Sequence, residues 1–225
     1  MSTTKNIRTP LEPGQYYHIF NRGNNRENLF YKPGNYDYFL HKYAHYLEGY
    51  VETLAYCLLP NHFHLVVQVR PLEALLPVAT AAFKKQWAEV QPEGEEAVHN
   101  WLCWSVSERI RLWKMGYSKA INRQEGRIGS LFQKPFRRKR IDDDDYLRHA
   151  IAYVHLNPAA HGIWDDFGSY SWSSFGYYEK WEEGLDCLIK PEWTVFGGKE
   201  ACLVYHYQFW SQRRADASLV EDWME

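Results

Sequence analysis

The order of patterns along the chain predicts an α+β fold, a ferredoxin-like or RRM-like antiparallel sheet with helices on one face. Three observations carry it. Short β-rich runs alternate with helix-length amphipathic runs in the order β-α-β-β-α-(α)-β-α. Two of the β-rich runs are separated only by Pro60-Asn61, a turn-forming pair. Finally, 45% hydrophobic and 17% aromatic residues in a chain of 225 suffice for the core of one large domain.

Tyr16 to Asn21 is rich in β-formers and reads as the first strand, and Arg22-Gly23-Asn24-Asn25-Arg26 follows as a polar turn with two cations. Pro33 to Gly49 has helical length, with Tyr38, Phe39, Tyr43 and Tyr46 to bury. Glu52 to Leu59 and His62 to Val69 read as the second and third strands. Pro71 to Val90 is predicted as a helix, broken by Gln91 to Gly94, and Trp101 to Arg123 as a long cationic helix. Gly126 to Ile141 reads as extended. Asp142 opens a helix with four acids in its first turn, where the helix dipole favours them. Pro158 predicts that this helix ends near Asn157. Residues 1–168 are expected to form the main domain, with 169–225 as an aromatic-rich C-terminal extension.

Four widely spaced cysteines, Cys57, Cys103, Cys187 and Cys202, form no Cys-x-x-Cys pair and suit a reducing cytosol. The opening Met-Ser-Thr-Thr-Lys-Asn lacks the apolar run of a signal peptide, and no run approaches the ~20 apolar residues of a membrane span. The expectation is a cytoplasmic protein. A net charge of -2 argues against a polyanion partner until its distribution is considered. Between Arg109 and Arg140 there are eleven Lys/Arg against one acid, Glu125, a balance of +10. Such asymmetry points to nucleic acid.

His62 and His64 alternate with apolar residues, so on a strand both project from one face and form half of a divalent-metal site. His-x-His alone is weak evidence, since strand histidines are often ordinary core or surface residues. Downstream, Tyr153 and Asn157 stand four apart on one face of a helix. An amide oxygen from Asn157 would shift the metal preference towards magnesium or manganese. Tyr153 is the candidate nucleophile. A phenol with pKa near ~10 needs help to ionise. Phenolate also leaves well, so a phosphotyrosyl bond suits reversible strand transfer. For an isolated tyrosine, burial in an amphipathic helix would be the commoner role.

Pro60-Asn61-His62-Phe63-His64 resembles the HUH motif (histidine, hydrophobic, histidine) of the single-tyrosine transposases. Tyr153-Val154-His155-Leu156-Asn157-Pro158-Ala159-Ala160-His161-Gly162 resembles their tyrosine helix, above all in the REP-associated branch. Tyr16 to Gly23 and Gly129-Ser130-Leu131-Phe132-Gln133 are similar to further segments of that branch. The resemblance implies an HUH transposase fold, with His62, His64 and Asn157 holding Mg2+ or Mn2+. It also implies that Tyr153 attacks single-stranded DNA beside a short hairpin of REP-like palindrome type, leaving a 5′-phosphotyrosine and a free 3′-OH. Charge, rather than motif, marks Arg22, Arg26, Lys119, Arg123, Arg127, Arg137, Arg138, Lys139 and Arg140 as the DNA-binding surface. Pro135 departs from related sequences, which carry a basic or small residue there. The acidic end (Glu221, Asp222, Glu225) is unsuited to DNA. A monomer is expected rather than a homodimer. The alternative reading is a domesticated hairpin-binding protein that keeps the fold without strand transfer.

Overall fold

The computed structural model describes residues 9–180 and 188–215. The first six residues, Cys187 and the acidic Glu221, Asp222 and Glu225 lie outside them. The expected α+β class is what the structure shows: a four-stranded antiparallel sheet of β1 (Tyr16–Arg22), β2 (Val51–Leu59), β3 (His62–Val69) and β4 (Arg137–Ile141), in the order β2-β3-β1-β4.

Period two splits β3 into two chemistries. Phe63, Leu65 and Val67 point one way, His62 and His64 the other. The apolar face is covered by α1 (Pro33–Leu47) and α4 (Glu95–Gln124). Phe63 sits 5.2 Å from Phe39 and 5.4 Å from Trp113 between ring centroids, and is fully buried. Removing that ring would cost about 3–5 kcal/mol. In α4, Val106, Ile110, Trp113, Tyr117 and Ile121 recur at three- and four-residue steps and are buried, which gives this long helix a continuous apolar stripe.

The expected helix Pro71 to Val90 is two, α2 (Leu72–Ala82) and α3 (Lys84–Val90), kinked where Phe83 leaves helical geometry at φ -119°, ψ 39°. Gly126 to Ile141 is extended as a strand only over β4. Gly126 and Gly129 hold positive φ, which turns the chain before it can pair. The Lys134–Pro135 peptide is cis.

One helix departs from the one-face layout. α5 (Asp144–Ala160) lies against the histidine face, where Tyr153 meets His64. Asp143 caps it by accepting from the Tyr146 N–H at 2.7 Å, with Asp144 and Asp145 in the first turn. The helix does not stop at Asn157. Pro158 falls in its last turn, where its missing N–H forfeits only one internal bond, and His161 N–H closes the end on the Asn157 carbonyl at 3.0 Å.

The chain beyond residue 168 runs along β2, whose outer edge would otherwise be open. Leu58 N–H donates to the Trp172 carbonyl, Ser174 N–H to Tyr56 and Lys190 N–H to Thr53, at 2.9, 2.9 and 2.8 Å. Two further helices follow, α6 (Phe175–Glu179) and α7 (Lys199–Ala215). No helix among the described residues is long and apolar enough to cross a membrane.

Candidate active site

The β1–β3 register places Arg22 opposite His62 and Phe20 opposite His64, so His18, Phe20 and Arg22 share the histidine face. His62 and His64 have ring centroids 5.2 Å apart and are 4% and 1% exposed. Each has one nitrogen committed. His62 Nδ1 lies 2.6 Å from Asn61 Oδ1, and since an amide oxygen only accepts, Nδ1 carries the proton. His64 Nδ1 lies 2.9 Å from His18 Nε2. The remaining Nε2 of both is buried with no protein hydrogen bond, and so is Oδ1 of Asn157, whose Nδ2 donates to the Tyr153 carbonyl at 2.7 Å.

Three orphaned buried acceptor-type atoms on the residues expected to bind metal are costly unless something fills them. Two imidazoles and an amide oxygen fit a divalent cation that keeps open positions for phosphate and water. Among the described residues no group of three or more His, Cys, Asp or Glu could hold a metal, so a site here would have to draw on the Asn157 amide. Burial pushes His62 down to about 3, assisted by His161 and Arg22, and His64 well down too, so both rings stay neutral as ligands must.

The Tyr153 ring is 5.7 Å from His64 and 5.9 Å from His18, and the side chain is 2% exposed. Burial raises its pKa to about 12, while Arg213 and Asn157 pull it down. The Arg213 guanidinium of α7 stands 5.0 Å from the centre of the Tyr153 ring. Two residues along α5, His155 joins a buried chain. His206 Nδ1 must donate to the Cys202 carbonyl (2.8 Å), so His155 Nδ1 donates to His206 Nε2 (2.9 Å). Ser174 Oγ then donates to His155 Nε2 (2.8 Å) and accepts from the Tyr56 N–H (2.7 Å). That chain pins the tyrosine helix between β2 and α7.

The proposed DNA-binding cations do not form one surface. In β4, Arg137 and Lys139 pair with Phe20 and His18 and share the histidine face, whereas Arg138 and Arg140 face the other way. Arg140 is tied to Glu12 and Asp142, and Arg127 to Glu27, so their charge is largely balanced inside the protein. Arg26, Lys119 and Arg123 are exposed. His18, His161 (5.3 Å from His62) and Arg213 are site residues that the motif reading gave no role. Alternation with Phe20 could have flagged His18. Nothing local marks Arg213.

The sheet thus sets a histidine pair on a central strand against a buried tyrosine on a helix. No protein-family model matches the chain. It is 27% identical over 148 residues to a protein named "Putative REP-associated tyrosine transposase" from Haemophilus influenzae, across 63% of this chain and 72% of that protein. Its fold matches the solved structure of a REP-associated tyrosine transposase bound to a REP hairpin, with a TM-score of 0.54 and 20% identity. That match covers 85% of this chain and 92% of the other. The first likeness agrees with the resemblance that the motifs carry, and the second is a likeness of fold.

Proposed function

We propose that the protein binds DNA hairpins and cleaves and rejoins the adjoining single strand through Tyr153, as a REP-associated tyrosine transposase. The observation that carries this reading is the set of orphaned atoms, His62 Nε2, His64 Nε2 and Asn157 Oδ1, beside a buried tyrosine. In this reading the Tyr153 oxygen forms the new bond to phosphorus, the 3′-oxygen leaves, and the DNA remains attached through its 5′-phosphate. Because phenolate is a good leaving group, the returning 3′-OH can reverse the step. Bound Mg2+ or Mn2+ would polarise a non-bridging phosphate oxygen and align the scissile bond. Asn61 and His18 hold the two imidazoles, and Arg213 favours the ionised phenol.

A denaturing gel with labelled single-stranded hairpins and manganese or magnesium tests this. Wild type should give a slow-migrating covalent adduct that both Tyr153→Phe and His62→Ala lose, with Tyr153→Phe keeping hairpin affinity. Cleavage surviving in Tyr153→Phe would assign the wrong nucleophile.

One observation favours the second reading, a hairpin-binding protein without strand transfer. With Tyr153 2% exposed, a phosphodiester cannot reach the phenol in this arrangement, so chemistry requires α7 to shift. Hairpin binding with no adduct under any metal would select that reading.

A further inference from the structure

Tyr153, Asn157 and His161 follow one another at four-residue steps along α5, with His161 as the residue that caps its end. Side chains four apart stand one above the other on a helix, so the three form a row, with ~6 Å of helix axis between neighbours. The row lies along β3. The Tyr153 ring is 5.7 Å from His64, and the His161 ring is 5.3 Å from His62.

The backbone of His161 is fixed by the way the helix ends. Its N–H donates to the Asn157 carbonyl at 3.0 Å, Gly162 N–H to Ala159 at 3.1 Å and Ile163 N–H to Pro158 at 2.9 Å. The last two bonds require the residue after the cap to be left-handed, and Gly162 supplies that with φ 61°. The side chain, by contrast, is uncommitted. Neither ring nitrogen has a hydrogen-bond partner among the described residues, and the ring meets His62 edge to face at 87°. Histidines with a structural role here do commit a nitrogen: His18 to His64, His155 to His206, and His206 to Cys202. His161 is also only half-buried, so a substrate can reach it.

The order of the row has a chemical meaning. In displacement at phosphorus the attacking and leaving oxygens lie roughly in line, on opposite sides. Tyr153 stands at the His64 end, Asn157 in the middle, and His161 at the His62 end, where the register also places Arg22. A phosphate seated at the middle, by the orphaned Nε2 atoms and Asn157 Oδ1, turns its leaving oxygen away from Tyr153 and towards His161. An imidazole in either charge state has an N–H to offer there.

Resting on the strand-cleavage reading above, we propose that His161 is a catalytic residue that donates a hydrogen bond to the departing 3′-oxygen. The bond from Tyr153 oxygen to phosphorus forms as the bond from phosphorus to the 3′-oxygen breaks, and the electron pair of the broken bond stays on that oxygen. The phenol proton passes to water and the 3′-oxygen takes one from water. His161 stabilises the charge in between and keeps its own proton.

The test uses the full chain, manganese and the labelled hairpin that wild type cleaves, with the scissile 3′-oxygen, located from the wild-type adduct, left as oxygen or replaced by sulfur. His161→Ala should slow single-turnover adduct formation on the oxygen substrate by about a hundredfold. A thiolate leaves without such help, so on the sulfur substrate the same variant should come within a few-fold of wild type. His161→Gln, which keeps an N–H donor, should recover part of the loss. Hairpin affinity and manganese affinity, measured by calorimetry, should be unchanged in both variants. Equal slowing on oxygen and sulfur, which a merely structural role would give, overturns the proposal, and so does an unaltered rate. A tenfold or greater fall in manganese affinity would reassign His161 as a metal ligand. Failure of the strand-cleavage reading looks different: wild type itself gives no adduct, and both readings fall together.

Discussion

His18 Nε2 lies 2.9 Å from His64 Nδ1, two strands' worth of backbone brought into one hydrogen bond. If His64 binds metal through Nε2, its proton must sit on Nδ1, and His18 must accept it. Replacing His18 with Phe keeps the ring and removes the acceptor. Manganese affinity measured by calorimetry should fall about 10–100-fold. An unchanged affinity would mean that His64 is not held this way, or holds no metal.

The Arg213 guanidinium stands 5.0 Å from the centre of the Tyr153 ring, and it lowers a phenol that burial raises. In Arg213→Gln the phenol should be harder to ionise at neutral pH. Single-turnover adduct formation should slow by about tenfold per pKa unit, and the rate profile should move to higher pH. A slower rate with an unmoved profile would leave Arg213 as packing alone.

Stability should depend on acid through the His155–His206 chain. Burial pulls His206 down to about 4, so the native state stays neutral where the unfolded chain takes up a proton below ~6.5. The stabilisation is complete above pH ~6.5 and is lost as pH falls towards 4, by about 3 kcal/mol for this group. Thermal unfolding followed by circular dichroism should show Tm dropping about 6–12 °C across that window. A flat Tm there would contradict the neutral chain.

Gly23 is required for close approach rather than for its φ of -59°. A Cβ at that position would run into the carbonyl oxygen of Glu27, with the Asn61 carbonyl also 3.5 Å away. Gly23→Ala should destabilise by about 1–3 kcal/mol and disturb the Asn61–His62 turn, lowering Tm and metal affinity together. Loss of Tm with metal affinity intact would separate the loop from the site.

Local patterns made much of this legible in the sequence. The first three strands, the helix from Pro33 and the helix from Asp144 follow from β-rich runs, turn residues and capping acids, whereas the fourth strand is only the last five residues of the run Gly126 to Ile141 that reads as extended. The long helix begins at Glu95 rather than Trp101 because Glu95 and Glu96 suit the dipole of its first turn, a signal overshadowed by the apolar run after it. The residues His62, His64, Tyr153 and Asn157 were visible as two motifs because each pair lies within one element. Arg213 and His206 were not, since only tertiary packing brings α7 onto α5. Charge density likewise could not reveal that Arg127 and Arg140 are already paired with acids.

The position of Arg213 over Tyr153 also sets an order of assembly. A ribosome releases the histidine strand first, then the tyrosine helix, and the covering helix last. Until that final helix emerges, the nascent chain carries every motif residue without the cation and the histidine chain that dress the tyrosine. A frameshift or early stop between the two helices would leave a gene product that looks intact to any motif search yet presents an undressed phenol. A motif search therefore does not distinguish such truncated copies from longer ones, although only the longer ones carry the helix that covers the tyrosine.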